Sequence, residues 1–142
     1  MITPKSTDPQ KRAVAPEIDA IAWRKRLDGI AGLNAELGLY RIRGNLEGYM
    51  RMLKAFVSGH AEEVTQLADA LASGDHATLK DIAHSLKGSG GTIAAERLAE
   101  IATLLNATLL NNVEQNEIEA QVVSLVAELA ALIDGIRFAL NP

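Results

Sequence analysis

Three features of this 142-residue sequence predict an all-α fold. Hydrophobic residues make up 48% of it and aromatics only 4%, with 23 Ala and 19 Leu filling much of the apolar share. Packed helices use such a composition, whereas strands favour β-branched and aromatic residues. The four prolines fall at 4, 9, 16 and 142, so none bars a helix between Glu17 and Asn141. Apolar positions then recur in alternating steps of three and four, the spacing of a single helix face. Together these predict an antiparallel up-down-up-down four-helix bundle with an additional short N-terminal helical segment.

Along the chain, residues 1–16 (MITPKSTDPQKRAVAP) hold three of the prolines and little apolar content, and read as a disordered tail or linker. Residues 17–32 form a lead helix with Ile18, Ile21, Ala22 and Trp23 as apolar positions. Trp23 is expected to pack this lead onto the bundle, and Gly29 and Gly32 to end it. The bundle itself is assigned to 33–142. Asn34 reads as the N-cap of a short segment through Arg41, and Gly44-Asn45 stops that segment and caps the next.

From Leu46, the residues Met50, Leu53, Val57, His60, Val64, Leu67 and Leu71 continue one face, predicting a single long helix. Ser73-Gly74-Asp75 is a stop and restart, with Gly74 the left-handed C-cap residue and Asp75 the next N-cap. The following helix is expected to run to about Ser89, where Gly90-Gly91 marks a break. Another spans roughly Ala94 to Leu110 with Leu98, Ile101, Ala102, Leu105 and Leu109 inward. The last starts near Gln115 and buries Ile118, Val122, Leu125, Leu129, Leu132 and Ile136.

Several function classes fall away on composition. There are no cysteines, which removes disulfides, thiolate metal sites and cysteine nucleophiles. A net charge of −4 argues against nucleic acid as a partner. No apolar run reaches the roughly 18 residues of a membrane span, and the polar N-terminal stretch lacks a signal-peptide core. The expectation is a soluble, cytoplasmic monomer.

Residues 76–89 carry the chemistry. At about 100° per residue, Leu79, Ile82, Ala83 and Leu86 form the core stripe, and His84 points away from it. Lys80, Lys87 and Gly88 share its side of the helix, and Ala77 lies one turn below Lys80. A solvent-facing helix would ordinarily carry long polar side chains there. Small residues around a histidine, with Gly91 further along, leave room for another molecule. Neutral imidazole has one nucleophilic lone pair, and neighbouring ammonium groups would stabilise a dianionic group attached to it. A histidine beside lysines, with no acid–base triad, suits phosphoryl acceptance better than hydrolysis.

The run His84-Ser85-Leu86-Lys87-Gly88-Ser89, followed by Gly90-Gly91-Thr92-Ile93-Ala94-Ala95-Glu96-Arg97-Leu98, resembles the signature of histidine-containing phosphotransfer (HPt) domains. The similarity extends over about Leu33 to Ala139, including Tyr49, Leu53 and Phe56 in the first long helix. Ala94 departs from the pattern, since the family usually has glycine there. The resemblance implies a relay that takes a phosphoryl group from a receiver-domain aspartate and passes it to another. The partners implied are receiver domains of a hybrid sensor kinase or a response regulator. It makes His84 the phosphoacceptor, Lys87 and more weakly Lys80 phosphate-stabilising, and Gly88 the residue that keeps the surface open for the partner. Ser89 is expected to hydrogen-bond near the site. The relay would hold no cofactor, metal or ATPase activity of its own, the magnesium ion belonging to the receiver.

Blander readings apply to neighbouring features. His60 lies in the apolar seam and reads as a core or boundary histidine, and His76 as a solvated first-turn residue. The double glycine lacks the frame of a phosphate-binding loop. A metal-carboxylate bundle would need paired Glu-x-x-His motifs facing inward, whereas Asp81-x-x-His84 occurs once and faces outward. The alternative function is a helical docking scaffold for receivers that accepts no phosphate.

Overall fold

The computed structural model describes residues 20–111 and 114–141, and every regular element among them is a helix. In chain order these are α1 (20–28), α2 (Ala35–Arg41), α3 (Leu46–His60), α4 (Glu63–Ser73), α5 (His76–Thr92), α6 (Glu96–Leu110) and α7 (Gln115–Leu140). Packing closes a ring: α4 lies against α5, α5 against α6, α6 against α7, and α7 back against α4. The α3 helix joins α4 in packing on α7, and α2 lies on α3. The chain is thus an all-α helical bundle, as its composition and periodicity predict.

The caps explain where the helices begin. Asn34 accepts a hydrogen bond from Leu37 N at 3.1 Å, Asn45 from Gly48 N at 3.0 Å, and Asp75 from Thr78 N at 3.1 Å. Each satisfies an orphan donor of a first helical turn. Gly74, with φ of 72°, ends α4 in the left-handed conformation that glycine adopts without a Cβ clash. Asp75 N reaches Ala70 O at 2.8 Å across that turn.

One long helix from Leu46 to Leu71 is not what forms. The helix lapses at Ala61-Glu62, which keep right-handed angles (φ −59° and −74°) between α3 and α4. The Ser58-Gly59 pair lies just before the lapse, and such pairs are weak points of a helix ladder. The buried stripe of α3 is also rotated from the expected one. Tyr49, Leu53, Phe56 and His60 are buried, while Leu46, Met50 and Val57 flank them half-exposed. The stripe is set by the largest side chains, whose burial removes the most apolar surface from water.

The inward sets predicted for α6 and α7 hold closely. Leu98, Ala102 and Leu105 on α6 are fully buried, with Ile101 and Leu109 half-exposed at the edge. All six seam residues named for α7 are buried.

The lead helix packs by residues other than Trp23. Leu27 and Ile30 join the core, whereas Trp23 is half-buried beneath the Arg26 guanidinium, 4.8 Å from its ring centroid. Ile21 is 65% exposed and Ala22 is exposed too. The reason is a close approach between distant segments: a Cβ on Gly135 would stand 3.1 Å from Ile30 Cγ2, so glycine in α7 admits the segment after α1 closely. Burying Leu27 contributes roughly 2 kcal/mol. Ile18 and the N-terminal tail lie outside the described residues, and no described helix is long and apolar enough to cross a membrane.

Candidate functional site

Helix α5 presents two unlike faces. Leu79, Ile82, Ala83, Leu86 and Gly90 are buried against the bundle. Ala77, Lys80, Asp81, His84, Lys87 and Gly88 are exposed on the other side, and Gly91 is half-buried. The structure therefore brings His84, Lys80, Lys87, Gly88, Ala77 and Gly91 onto one outward face. A Cβ built on Gly88 or Gly91 meets nothing within 4 Å, so neither glycine is required by packing inside the chain. Glycine in a helix interior lowers stability by about 0.5–1 kcal/mol relative to Ala. Gly88 thus leaves open space beside His84 at a cost to the fold.

Ser89 is placed elsewhere. It lines a groove of about 270 Å³ with Met52, Ala55, Phe56, His60, Thr92 and Ile93, toward α3. Five residues beyond His84 correspond to about 140° of rotation, which turns its hydroxyl off the histidine face. The expected hydrogen bond near the site is not among those of the described residues, and Ser89 drops out of it.

The N-terminal end of α5 is held by Asp75. Besides capping Thr78 N, its carboxylate accepts from Thr78 Oγ1 at 2.6 Å. These bonds, the side-chain one foremost, hold the Asp75 carboxyl below the usual carboxylate range.

The C-terminal end departs from the sequence reading. Helix α5 runs through Gly90-Gly91 to Thr92 and turns at Ile93-Ala94. Gly90 serves close packing: its Cβ would stand 3.3 Å from Leu98 Cδ2 and 3.4 Å from Ala95 O. The chain reverses at Ala94, with φ of 68° and no exposed surface. Ala95 N bonds Gly90 O at 2.8 Å and Ala94 N bonds Gly91 O at 3.1 Å, the two bonds of a Schellman ending. Glycine normally fills the left-handed position, because an L-residue costs about 1–2 kcal/mol there. The sequence departure at Ala94 is thus a departure at the turn closing the histidine helix.

Three groups from α2 and α3 and their flanks tie this turn down. Tyr49 OH donates to Ile93 O at 2.7 Å in the core, and Asn34 N donates to Ala94 O at 2.9 Å. Arg41 Nη1 donates to Gly91 O at 2.8 Å. Burial pushes the Tyr49 hydroxyl well above the usual phenol range, with the Arg41 charge opposing it weakly. Arg41 was not legible as a site residue. It lies 43 positions before His84, and only the packing of α2 brings it to α5.

The other histidines stand in different settings. His60 is buried, stacks on Phe56 at 4.7 Å between ring centroids, and has Nδ1 2.6 Å from Glu63 Oε1. It is a partnered core histidine. His76 is exposed in the first turn of α5. Among the described residues, no group of three or more His, Asp or Glu side chains converges as a metal site.

The Hpt domain family model matches residues 51–138 of the chain, a span that contains α4, α5 and α6 whole and most of α3 and α7. No curated protein sequence matches the chain. Among solved structures, the fold is similar to the HPT domain from the Hpt sensor hybrid histidine kinase from Shewanella, with a TM-score of 0.70. That likeness covers 77% of this chain and 93% of that one at 21% sequence identity, and at this identity it speaks for the fold.

Proposed function

The chain belongs to the Hpt domain family, and on that premise we propose that His84 is its phosphoacceptor in a phosphorelay between receiver domains. Nε2 of the imidazole attacks the phosphorus of a receiver's aspartyl phosphate. The P–N bond forms as the bond to the aspartyl oxygen breaks, and the carboxylate leaves. The reverse sequence delivers the group to a second receiver. This is group transfer without ATP hydrolysis, in which positioning and charge carry the rate. The magnesium ion that supplies Lewis-acid stabilisation belongs on the acidic site of the receiver.

A single observation supports this most: the exposed His84 stands beside Lys87 and the packing-free Gly88 on one face of α5. Lys87 is one turn along, within reach of a dianion on the imidazole, and Lys80 one turn back. His60 is buried and partnered, and His76 stands in the first turn of α5, two turns before His84 and away from Lys87 and Gly88. The lysines give this face a local positive charge that suits an acidic receiver despite the −4 net charge of the chain.

Incubation with a phosphorylated receiver tests the reading. Wild type should gain the label and His84→Gln should not. Equal labelling of both would remove His84 from the role. Docking of receivers with no labelling of wild type would make the chain a scaffold instead.

A further inference from the structure

We propose that the receiver-docking surface extends from His84 along α5 to Arg41 of α2, and that Arg41 there binds a carboxylate of the receiver. The inference rests on the phosphorelay reading and adds to it a positioning residue from outside the signature. Gly91, whose carbonyl holds Arg41, lies seven residues beyond His84. That is about 10 Å along the helix and about 20° around it, so the guanidinium stands over the same face. Between them, Gly88 and Gly91 add no side chain that would block an approaching surface.

The guanidinium is fixed yet available. One of its five N–H donors is engaged with Gly91 O, which orients the plane and leaves the others for a ligand. Among the described residues, Arg41 makes no ion pair, whereas Arg24 is paired with Asp28 at 3.6 Å and Arg97 with Glu128 at 3.2 Å. A carboxylate arriving at Arg41 therefore breaks no intramolecular pair. Glu36 lines the adjoining cleft without pairing to it. Asp81, the acidic residue on the His84 face, lies one turn on the opposite side of His84 from Arg41. Lys80 stands beside Asp81 there, and no acidic side chain of α5 lies between His84 and Arg41. The planar fork of arginine suits a carboxylate. With its anchor two helical turns beyond His84, Arg41 meets an acidic side chain of the receiver's surface and not the phosphoryl itself.

Arg41→Gln and Arg41→Lys separate this role from a structural latch on α5. Gln removes the charge and Lys keeps it, while both side chains end short of the Nη1 position that bonds Gly91 O, so the loss of the latch is common to the two. Binding of magnesium-bound receiver domains from the same organism is titrated by calorimetry, in wild type and in a His84→Gln background. Arg41→Gln should bind about 3- to 5-fold more weakly at low salt, with the difference closing as salt screens the pair. Arg41→Lys, with the charge but without the planar fork, should recover part of the affinity, and its melting temperature should match that of Arg41→Gln. In transfer assays the defect should appear in KM with kcat retained. Equal binding by Arg41→Gln at every salt concentration would overturn the proposal. So would an affinity loss that is independent of salt and equal in Arg41→Gln and Arg41→Lys. Should wild type bind receivers and never be phosphorylated, the phosphoacceptor reading falls, and the same titrations still decide Arg41.

Discussion

Replacing Gly88 sets stability and function against each other. The residue is exposed in the interior of α5, and a Cβ there meets nothing within 4 Å. Ala should therefore gain the full helix-propensity difference, about 0.8–1.0 kcal/mol, and Gln somewhat less. For a domain of this size, that raises the melting temperature by about 4 °C. Function should move the other way. Gly88 is one turn beyond His84, and Cβ atoms at that spacing are about 5–6 Å apart. A glutamine side chain there rises beside the imidazole and holds a receiver away from Nε2. Transfer to Gly88→Gln should slow at least 10-fold, equivalent to about 1.4 kcal/mol of lost transition-state stabilisation, while Gly88→Ala slows far less. Thermal unfolding and single-turnover transfer from a phosphorylated receiver read the two effects. Wild-type transfer by Gly88→Gln would refute the idea that open space serves the partner. A lowered melting temperature in Gly88→Ala would refute the packing argument. Gly90→Ala is the internal control: its Cβ enters the tight α5–α6 contact, and overpacking there should leave it about 1 kcal/mol less stable than wild type.

Other expectations follow from the ties around α5. Tyr49→Phe orphans the buried Ile93 carbonyl and should lower stability by about 1–2 kcal/mol in urea titrations at pH 7. Because the folded hydroxyl titrates above its unfolded value near 10, this stabilisation is complete below pH 10 and fades as pH rises beyond it. The gap between Tyr49→Phe and wild type should narrow above pH 10, and a gap that widens there would contradict the assignment. Arg43 is exposed with φ of 60° at the end of α2; Arg43→Gly should stabilise by about 0.5–1 kcal/mol, the relieved strain outweighing the added chain entropy. Lys87→Ala should slow transfer about 10-fold with the thermal midpoint held within a degree or two, and an unchanged rate would remove Lys87 from the site.

What could be read from the sequence was local. Caps at Asn34, Asn45 and Asp75, the stop at Gly74 and the stripes of α6 and α7 depend on neighbours within a turn, and they stand where the spacing puts them. The outward face around His84 was readable for the same reason, as one helix wheel. Features that depend on another helix were not readable. Gly90-Gly91 looks like a break by propensity, but the requirement at Gly90 comes from Leu98 and Ala95 of the facing segment. Trp23 looks like an anchor by size, whereas the close approach at Gly135 lets Ile30 take that place. Ser89 sits next to the signature in sequence and turns away from it in space. Arg41 is the converse, remote in sequence and adjacent in space.

The chain has three histidines, at 60, 76 and 84, one buried and two exposed on the same helix, so locating the phosphoryl group tests the account most directly. Wild-type protein should be labelled by a phosphorylated receiver and kept at neutral to alkaline pH, where phosphohistidine survives. It should then be fragmented by electron transfer in a mass spectrometer. A single phosphoryl group on His84 is the expected result. A group on His76 or His60, or none at all after exposure to receivers that bind, would contradict it.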